Sequence, residues 1–397
     1  MPPFPQLSPH TQELRPSPFA AFAARLGELV LDPDFVPLHL GDTYPLPPAA
    51  ALGVDLTQPA LHRYGPTAGD AALRAAGAED LTRLGLPWAD PAGTFVTPGA
   101  TGALDIALDA LLREGDEVLV LTPTWPVIWG LFARRGVRAR QVPVSASGRL
   151  GTPDDLVARL EDALARCERP PAALSLCNPN NPAGFVLSRA HLSALAELCA
   201  RRALWLLYDA VYTDLCLDSA ARPLAWLPPE LAPRTCVTTS YSKSFGLAGH
   251  RVGLLAVPPA LAPLVPRIQT HTTYHPSNLS QAMARACLGD DPVAARAVRQ
   301  ELARHGARLT TQALAGRVPL SQEPEGGAFV FLDLREVTPD GEALAALLLR
   351  CLDAGVSLAP GAPFGDDFGR FARLCFTAVP PERLEVGLAR VLEVAGG

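Results

Sequence analysis

The sequence predicts an α/β protein in which a largely parallel sheet, with helices on both faces, is followed by a smaller α+β domain. Three observations carry this reading. From about residue 69 to Tyr274, short unbroken apolar runs alternate with helical stretches, the pattern of strands buried on both faces and the helices that cover them. Beyond Tyr274 the order changes to two long helices and then mixed strands and helices. The length of 397 residues also exceeds one small core, since a domain averages about 150 residues.

The elements follow in order. A strand near 94–97 runs into TPGATGALDIAL and a helix over 100–113, and EVLVLT (117–122) is the next strand. DDLVARLEDALARC (154–167) reads as a helix, AALSLC (172–177) as a strand, 189–202 as a helix and LWLLYD (204–209) as a strand. CVTTS (236–240) and GLLAV (253–257) complete the sheet. Helices at 278–288 and 292–314, a strand AFVFLDL (328–334), a helix at 341–354 and a strand RLCFTAV (373–379) form the second unit. The large domain is expected over 46–289 and the small one over 1–45 together with 290–397.

Composition narrows the partners. Apolar residues are 48% of the chain and charged residues 19%, the balance of a compact globular protein. A net charge of -6 and a pI near 5.8 give no basic field for nucleic acid or an anionic membrane, so a small-molecule partner is expected. The eight cysteines never form C-x-x-C; they read as reduced, mostly buried thiols of a cytoplasmic protein, and no metal centre is expected. The N-terminal MPPFPQLSPHTQELRPSP has prolines where a signal peptide needs an apolar core, and no segment approaches the roughly 18 uninterrupted apolar residues of a span. Neither export nor membrane insertion is expected.

Ligands of open α/β sheets bind beyond the carboxyl ends of the strands, and the residues there are chemically unusual. Lys243, in SYSKSFGLAGHR, is the only lysine among 34 basic residues. Where arginine serves for every other positive charge, a lone lysine points to a need for an amine that can lose its proton and attack a carbonyl carbon, although by itself it is compatible with a solvated surface residue. Asp209 ends the strand of LYDAVY, with Tyr212 three residues on, and could equally be a helix cap. CNPNNPAG follows the strand at 172–177 as a turn rich in amides. Gly99, Ala100, Thr101 and Gly102 open a helix with free backbone N–H groups suited to a phosphate, and Ser240, Ser242 and Arg251 surround Lys243 with further phosphate donors. An amine, a carboxylate, phenol and amide donors and a phosphate cradle make up the set that pyridoxal 5'-phosphate (PLP) requires.

These motifs, from Tyr64 to Arg373, resemble those of the class I/II aminotransferases, PLP enzymes of fold type I. SYSK followed by GHR is similar to the family's S-x-S-K and G-x-R, which implies that Lys243 forms the Schiff base and that Ser240, Ser242 and Arg251 bind the phosphate along with Ala100, Thr101 and Gly102. D-A-V-Y resembles D-x-x-Y, pairing Asp209 with the pyridinium nitrogen and Tyr212 with the ring oxygen; N-P-N-N-P-A-G resembles N-P-x-N-P-T-G, assigning Asn181 to the same oxygen. Trp125 in TPTWP takes the place of the ring-stacking aromatic, where plain packing is the other reading. Tyr64 in RYGPTAGD resembles the tyrosine that reaches the partner's phosphate in a homodimer, with a buried or turn tyrosine as the other reading. Arg373 in RLCF, which alone could form a surface ion pair, matches the arginine that grips the substrate α-carboxylate, with the Gly41 backbone and Asn181 assisting. Trp129, Tyr44 and Tyr274 are candidates for the substrate side-chain pocket. Ala183 stands where the family commonly has Thr, and Thr43 where it usually has Pro.

The resemblance implies an enzyme that passes the amino group of an α-amino acid to a 2-oxo acid, with Lys243 carrying the α-proton and Asp209 keeping the ring an electron sink. Relatives with the same residues eliminate or cyclise instead, so a PLP-dependent lyase or cyclase is the alternative. A transcription factor with an aminotransferase-like domain is disfavoured, since residues 1–45 are too few for a DNA-binding domain and the charge is acidic.

Overall fold

A computed structural model describes residues 9–12, 14, 16, 17, 19–289 and 291–396. The parts of the expected small domain at 1–8, 13, 15, 18, 290 and 397 lie outside the described residues. Seven strands form the main sheet: β1 (Thr94–Thr97), β2 (Glu117–Thr122), β3 (Arg138–Pro143), β4 (Ala173–Cys177), β5 (Trp205–Asp209), β6 (Thr235–Ser240) and β7 (Gly253–Ala256), in the order β1-β7-β6-β5-β4-β2-β3. The five strands from β6 to β3 run parallel, whereas β7 pairs antiparallel with both β6 and β1. Direction was not legible in GLLAV because a strand buried on both faces reads as the same apolar run either way. β3 was not among the expected strands. RARQVP is a sheet edge with two arginines facing solvent or carboxylates, a charged edge that lacks the apolar signal.

Alternation along the central strands buries two separate cores. Leu119, Leu121, Leu174, Leu176, Leu206 and Tyr208 face one layer of helices, and Val118, Val120, Ala173 and Leu207 face the other. Helix starts follow the capping chemistry. Asp70 caps helix Ala71–Arg83 by accepting from Leu73 N at 2.8 Å, and Thr152 with Asp155 and Ser188 with His191 form capping boxes for Pro153–Ala165 and Arg189–Arg202.

The second sheet is antiparallel, β8 (Phe329–Asp333), β9 (Ala359–Pro360) and β10 (Phe371–Cys375), in the order β8-β10-β9. The strand expected at 373–379 therefore begins two residues earlier and stops at Cys375, with turns after it. A final helix, Pro381–Gly396, was not anticipated. One face of this sheet packs Val330, Leu332, Ala372 and Leu374 against Phe22, Leu38 and the helices Pro292–Leu314, Gly341–Asp353 and Pro381–Gly396. The other face turns Phe331 and Phe371 into the first core, where Phe331 stacks on Phe371 at 5.1 Å and meets Phe364 and Phe368 edge-on at 5.8 and 5.6 Å. These four rings join the sheets. Phe331→Ala should destabilise the protein by about 3–5 kcal/mol, the usual cost of emptying a buried aromatic site, read as a lower urea midpoint.

Candidate active site

The site forms at the carboxyl ends of β4, β5 and β6. In register, Cys177 lies opposite Asp209 and Asp209 opposite Thr238. Past these ends, Asn178 N donates to Asp209 O at 2.9 Å and Ala210 N to Thr238 O at 2.8 Å. Asp209 therefore points from a rigid edge. Its carboxylate accepts from Val211 N at 3.1 Å, and desolvation raises its pKa from 3.8 to about 6 despite that bond. Burial likewise raises the Tyr212 phenol, whose ring meets Phe329 edge-on at 5.5 Å.

The asparagine-rich turn divides its labour. Asn178 Nδ2 donates to Tyr208 Oη at 2.6 Å and its Oδ1 accepts from Leu187 N at 2.9 Å. Asn180 Nδ2 donates to Pro123 O at 3.0 Å and its Oδ1 accepts from Ala183 N at 2.9 Å. Both are spent on the turn, and only Asn181 lines the cavity, its Oδ1 accepting from Arg373 Nη1 at 3.0 Å. Arg373 Nη2 donates to His39 O at 2.8 Å, its Nε is buried with no partner among the described residues, and its plane lies 4.3 Å from the Phe329 ring centre. Gly41 is small for a reason: a Cβ there would stand 3.2 Å from Phe329 Cζ and 3.5 Å from Arg373 Nη2.

Lys243 sits on a single helical turn, Tyr241–Ser244, directly after β6. Nζ donates to Gly41 O and lies 3.6 Å from Asp42 Oδ1. Desolvation lowers its pKa, with Asp42 pulling the other way. A desolvated amine of lowered proton affinity is a better nucleophile and base than a solvated one. Gly99 begins helix Gly99–Leu111 at φ 71°. A Cβ on Gly99 would lie 2.7 Å from Arg251 Nη2, and one on Gly253 would lie 3.0 Å from Ala100 N, so helix N-terminus, β7 and guanidinium converge closely. The Ser240 and Ser242 hydroxyls line the same space, and neither hydrogen-bonds another described residue.

One cavity of about 290 Å³ unites these groups. Of the residues expected from sequence, Lys243, Asp209, Tyr212, Ala100, Thr101, Trp125, Asn181, Ser240, Ser242, Arg251, Arg373 and Gly41 all line it. Gly102 does not; it lies against Pro98, whose Cδ would be 2.9 Å from an added Cβ. Tyr64 is also outside, 86% exposed, with its ring 5.2 Å from that of Tyr274. Of the three candidates for the side-chain pocket, none lines the cavity: Trp129 is a core residue whose Nε1 donates to Pro363 O at 2.8 Å, and Tyr44 is tied by its N–H to Thr377 O at 3.0 Å.

Sequence reasoning missed Phe19, His39, Leu40, Leu104, Val211 and Ala248, which complete the lining. Phe19 packs edge-on against His39 with ring centres 4.8 Å apart. His39 Nδ1 is 2.5 Å from Ser357 Oγ, and burial beside Arg373 lowers its pKa to about 4, so the imidazole is neutral. Leu104, Val211 and Ala248 lie inside the strings that carry the expected site residues, and His39 and Leu40 directly precede Gly41, but none was singled out; Phe19 lies in no such string.

Comparison with known proteins decides the family. The profile described as aminotransferase class I and II matches residues 36–391. The chain belongs to that family. It is 33% identical over 315 residues to the arginine–pyruvate transaminase of Pseudomonas aeruginosa, covering 78% of this chain and 77% of that one. It is 30% identical over 341 residues to the aspartate/prephenate aminotransferase of Thermus thermophilus, covering 84% and 83%. It is 28% identical over 362 residues to the valine–pyruvate aminotransferase of Mycobacterium tuberculosis, covering 88% and 87%. Among solved structures, the Thermus thermophilus aspartate aminotransferase with maleate superposes with a TM-score of 0.86 at 26% identity, over 98% of this chain and all of that one. The protein is an aminotransferase, moving the amino group of an α-amino acid to a 2-oxo acid. Among the described residues, no helix is long and apolar enough to cross a membrane.

Asp209 gives a pH test. Its folded pKa is raised, so the fold holds the proton more tightly than the unfolded chain, and stability falls as pH rises from 3.8 to about 6. In cofactor-free protein, Asp209→Asn should be more stable than the parent above pH 6, by up to about 3 kcal/mol for a two-unit shift, and equal to it near pH 3.5. Thermal unfolding across pH measures this.

Proposed function

We propose that the amino-group transfer runs on PLP held as a Schiff base by Lys243. The observation that carries this reading is the only lysine of the chain, desolvated, facing the same cavity as a desolvated carboxylate and a buried arginine. The donor set fits the group. Ser240, Ser242, Thr101, Arg251 and the N–H groups that open helix Gly99–Leu111 would hold the phosphate, and Trp125 would pack on the ring. Asp209 would hold the proton on the ring nitrogen, which in turn would lower the carboxylate's own pKa. Tyr212 and the Asn181 amide would donate to the ring oxygen. When bound, PLP supplies the electron sink for the charge left on the substrate α-carbon.

The chain's own residues do the rest. Arg373, aimed by Asn181 Oδ1 and His39 O, binds the substrate carboxylate and turns the α-carbon toward Lys243. Lys243 Nζ, its proton affinity lowered by desolvation, would take the α-proton and return it two atoms along, across the substrate nitrogen. Phe19 and Leu104 wall the cavity with apolar surface and exclude water. The relatives named for arginine, aspartate and valine share only the α-amino acid group, the part that Arg373 grips.

The same proposal includes a homodimer in which Tyr64 reaches the partner's phosphate. The exposed aromatic patch of Tyr64 and Tyr274 supports it. It also keeps the division into a large domain, 46–289, and a small one of 1–45 and 290–397, so that Lys243 and Arg373 belong to different domains. A cytoplasmic location is supported by eight cysteines that are all free thiols.

Borohydride reduction of the purified protein should fix a pyridoxyl group on the peptide containing Lys243, read by mass spectrometry; an adduct confined to other peptides would sink the reading. Arg373→Leu should lower kcat/KM for α-amino acids by about 30- to several-thousand-fold, the cost of leaving a desolvated anion unpaired. The cofactor spectrum should be unchanged, and amines without a carboxylate should lose far less.

A further inference from the structure

One buried charged cluster has no part in these roles. Arg296, on helix Pro292–Leu314, is 3% exposed. Its Nη2 donates to Asp80 Oδ2 at 2.6 Å, and its Nε lies 2.9 Å from Asp214 Oδ2, out of hydrogen-bond alignment. Arg83 approaches the same two aspartates at 3.0 and 3.8 Å, so two guanidinium groups face two carboxylates. The Arg296 guanidinium also lies 4.4 Å from the centre of the Phe245 ring. Tyr241, buried and with no partner for its hydroxyl among the described residues, lies within the field of Arg296 and both aspartates.

The cluster's neighbours in sequence are what make it informative. Asp214 stands two residues past Tyr212. Tyr241 and Phe245 stand two residues before and two after Lys243. A helix of the second unit therefore grips, through one side chain, both loops that carry the cofactor-facing amine and phenol. Stability alone is a weak reason for such an arrangement, because desolvating the charges offsets most of their attraction and apolar residues would pack as well. What directed charges supply beyond packing is a single geometry.

We infer that Arg296, paired with Asp80 and Asp214, is a positioning residue that locks the Tyr212 and Lys243 loops together, keeping the Lys243 amine desolvated and aimed for imine formation. This rests on Lys243 being the PLP-binding lysine. The physical route is short. If Arg296 is removed, two buried carboxylates keep only the exposed Arg83 as a cation, the loops part to hydrate them, and water reaches Lys243. A hydrated amine regains its ordinary proton affinity.

The test uses full-length protein freed of cofactor, with PLP as the probe. Because the chain has one lysine, the imine absorbance, checked by reduction and peptide mapping, reports that amine. Absence of an adduct at Lys243 in the unaltered protein would overturn the proposed function itself. Given the adduct, Arg296→Met should move the midpoint pH for imine formation upward by about one unit or more and weaken PLP binding about tenfold, the equivalent of that unit. The KM for the amino acid should change less than kcat, since Arg373 is untouched, and Arg296→Lys should recover part of the shift. If Arg296→Met does not fold, Asp214→Asn, which keeps the shape, is measured in the same way. A variant that unfolds at lower temperature yet keeps the original midpoint and PLP affinity would show the cluster to be structural only and overturn the inference.

Discussion

Three parallel strands whose carboxyl ends lie side by side set the position of the chemistry. In β4, β5 and β6 the register puts Cys177, Asp209 and Thr238 side by side, and backbone bonds past the strand ends continue that lock into the loops. Asn181, Asp209 with Tyr212, and Ser240 to Lys243 each come from the last residue of one of these strands or the few residues after it. A parallel sheet can do this because every strand leaves its carboxyl edge in the same direction, and because helices on both faces keep its backbone dry and rigid. A one-residue slip of β5 would turn Asp209 to the other face.

Charge in the cavity is arranged by desolvation more than by pairing. Arg251, Arg373, Asp209 and Lys243 all line it, and among the described residues no carboxylate is bonded to Arg373. Its partners are two neutral oxygens and the faces of Phe329 and Phe364. Such a cation keeps its charge free for an incoming carboxylate. His39, beside it, is held neutral by the same burial, so it shapes the wall without competing for the anion.

The second sheet reaches the site by simple alternation. In β10, Phe371 and Arg373 point to one face, while Ala372 and Leu374 point to the other core. The face that carries Arg373 also carries the ring cluster of Phe331, Phe364, Phe368 and Phe371. Arg373 is thus anchored in the aromatic contact between the two sheets. Above it, Lys243 bonds the Gly41 carbonyl and Arg373 the His39 carbonyl, and a short segment of the N-terminal region ties the two functional side chains together.

The sequence by itself determined the fold class, the parallel core strands and most of the site. It could do so because buried strands are apolar runs, caps are side-chain signals, and a lysine that is unique in the chain stands out chemically without any neighbour. The direction of β7 and the presence of β3 were decided by tertiary pairing, since neither an apolar run buried on both faces nor a charged edge carries that information. Trp129 looked like a pocket residue and became core, because the helix Val127–Ala133 turns its indole toward Pro363. Phe19, His39 and the Arg296 cluster were invisible for a related reason. Each acts through partners tens to hundreds of residues away, and only the folded chain brings them within a few ångströms.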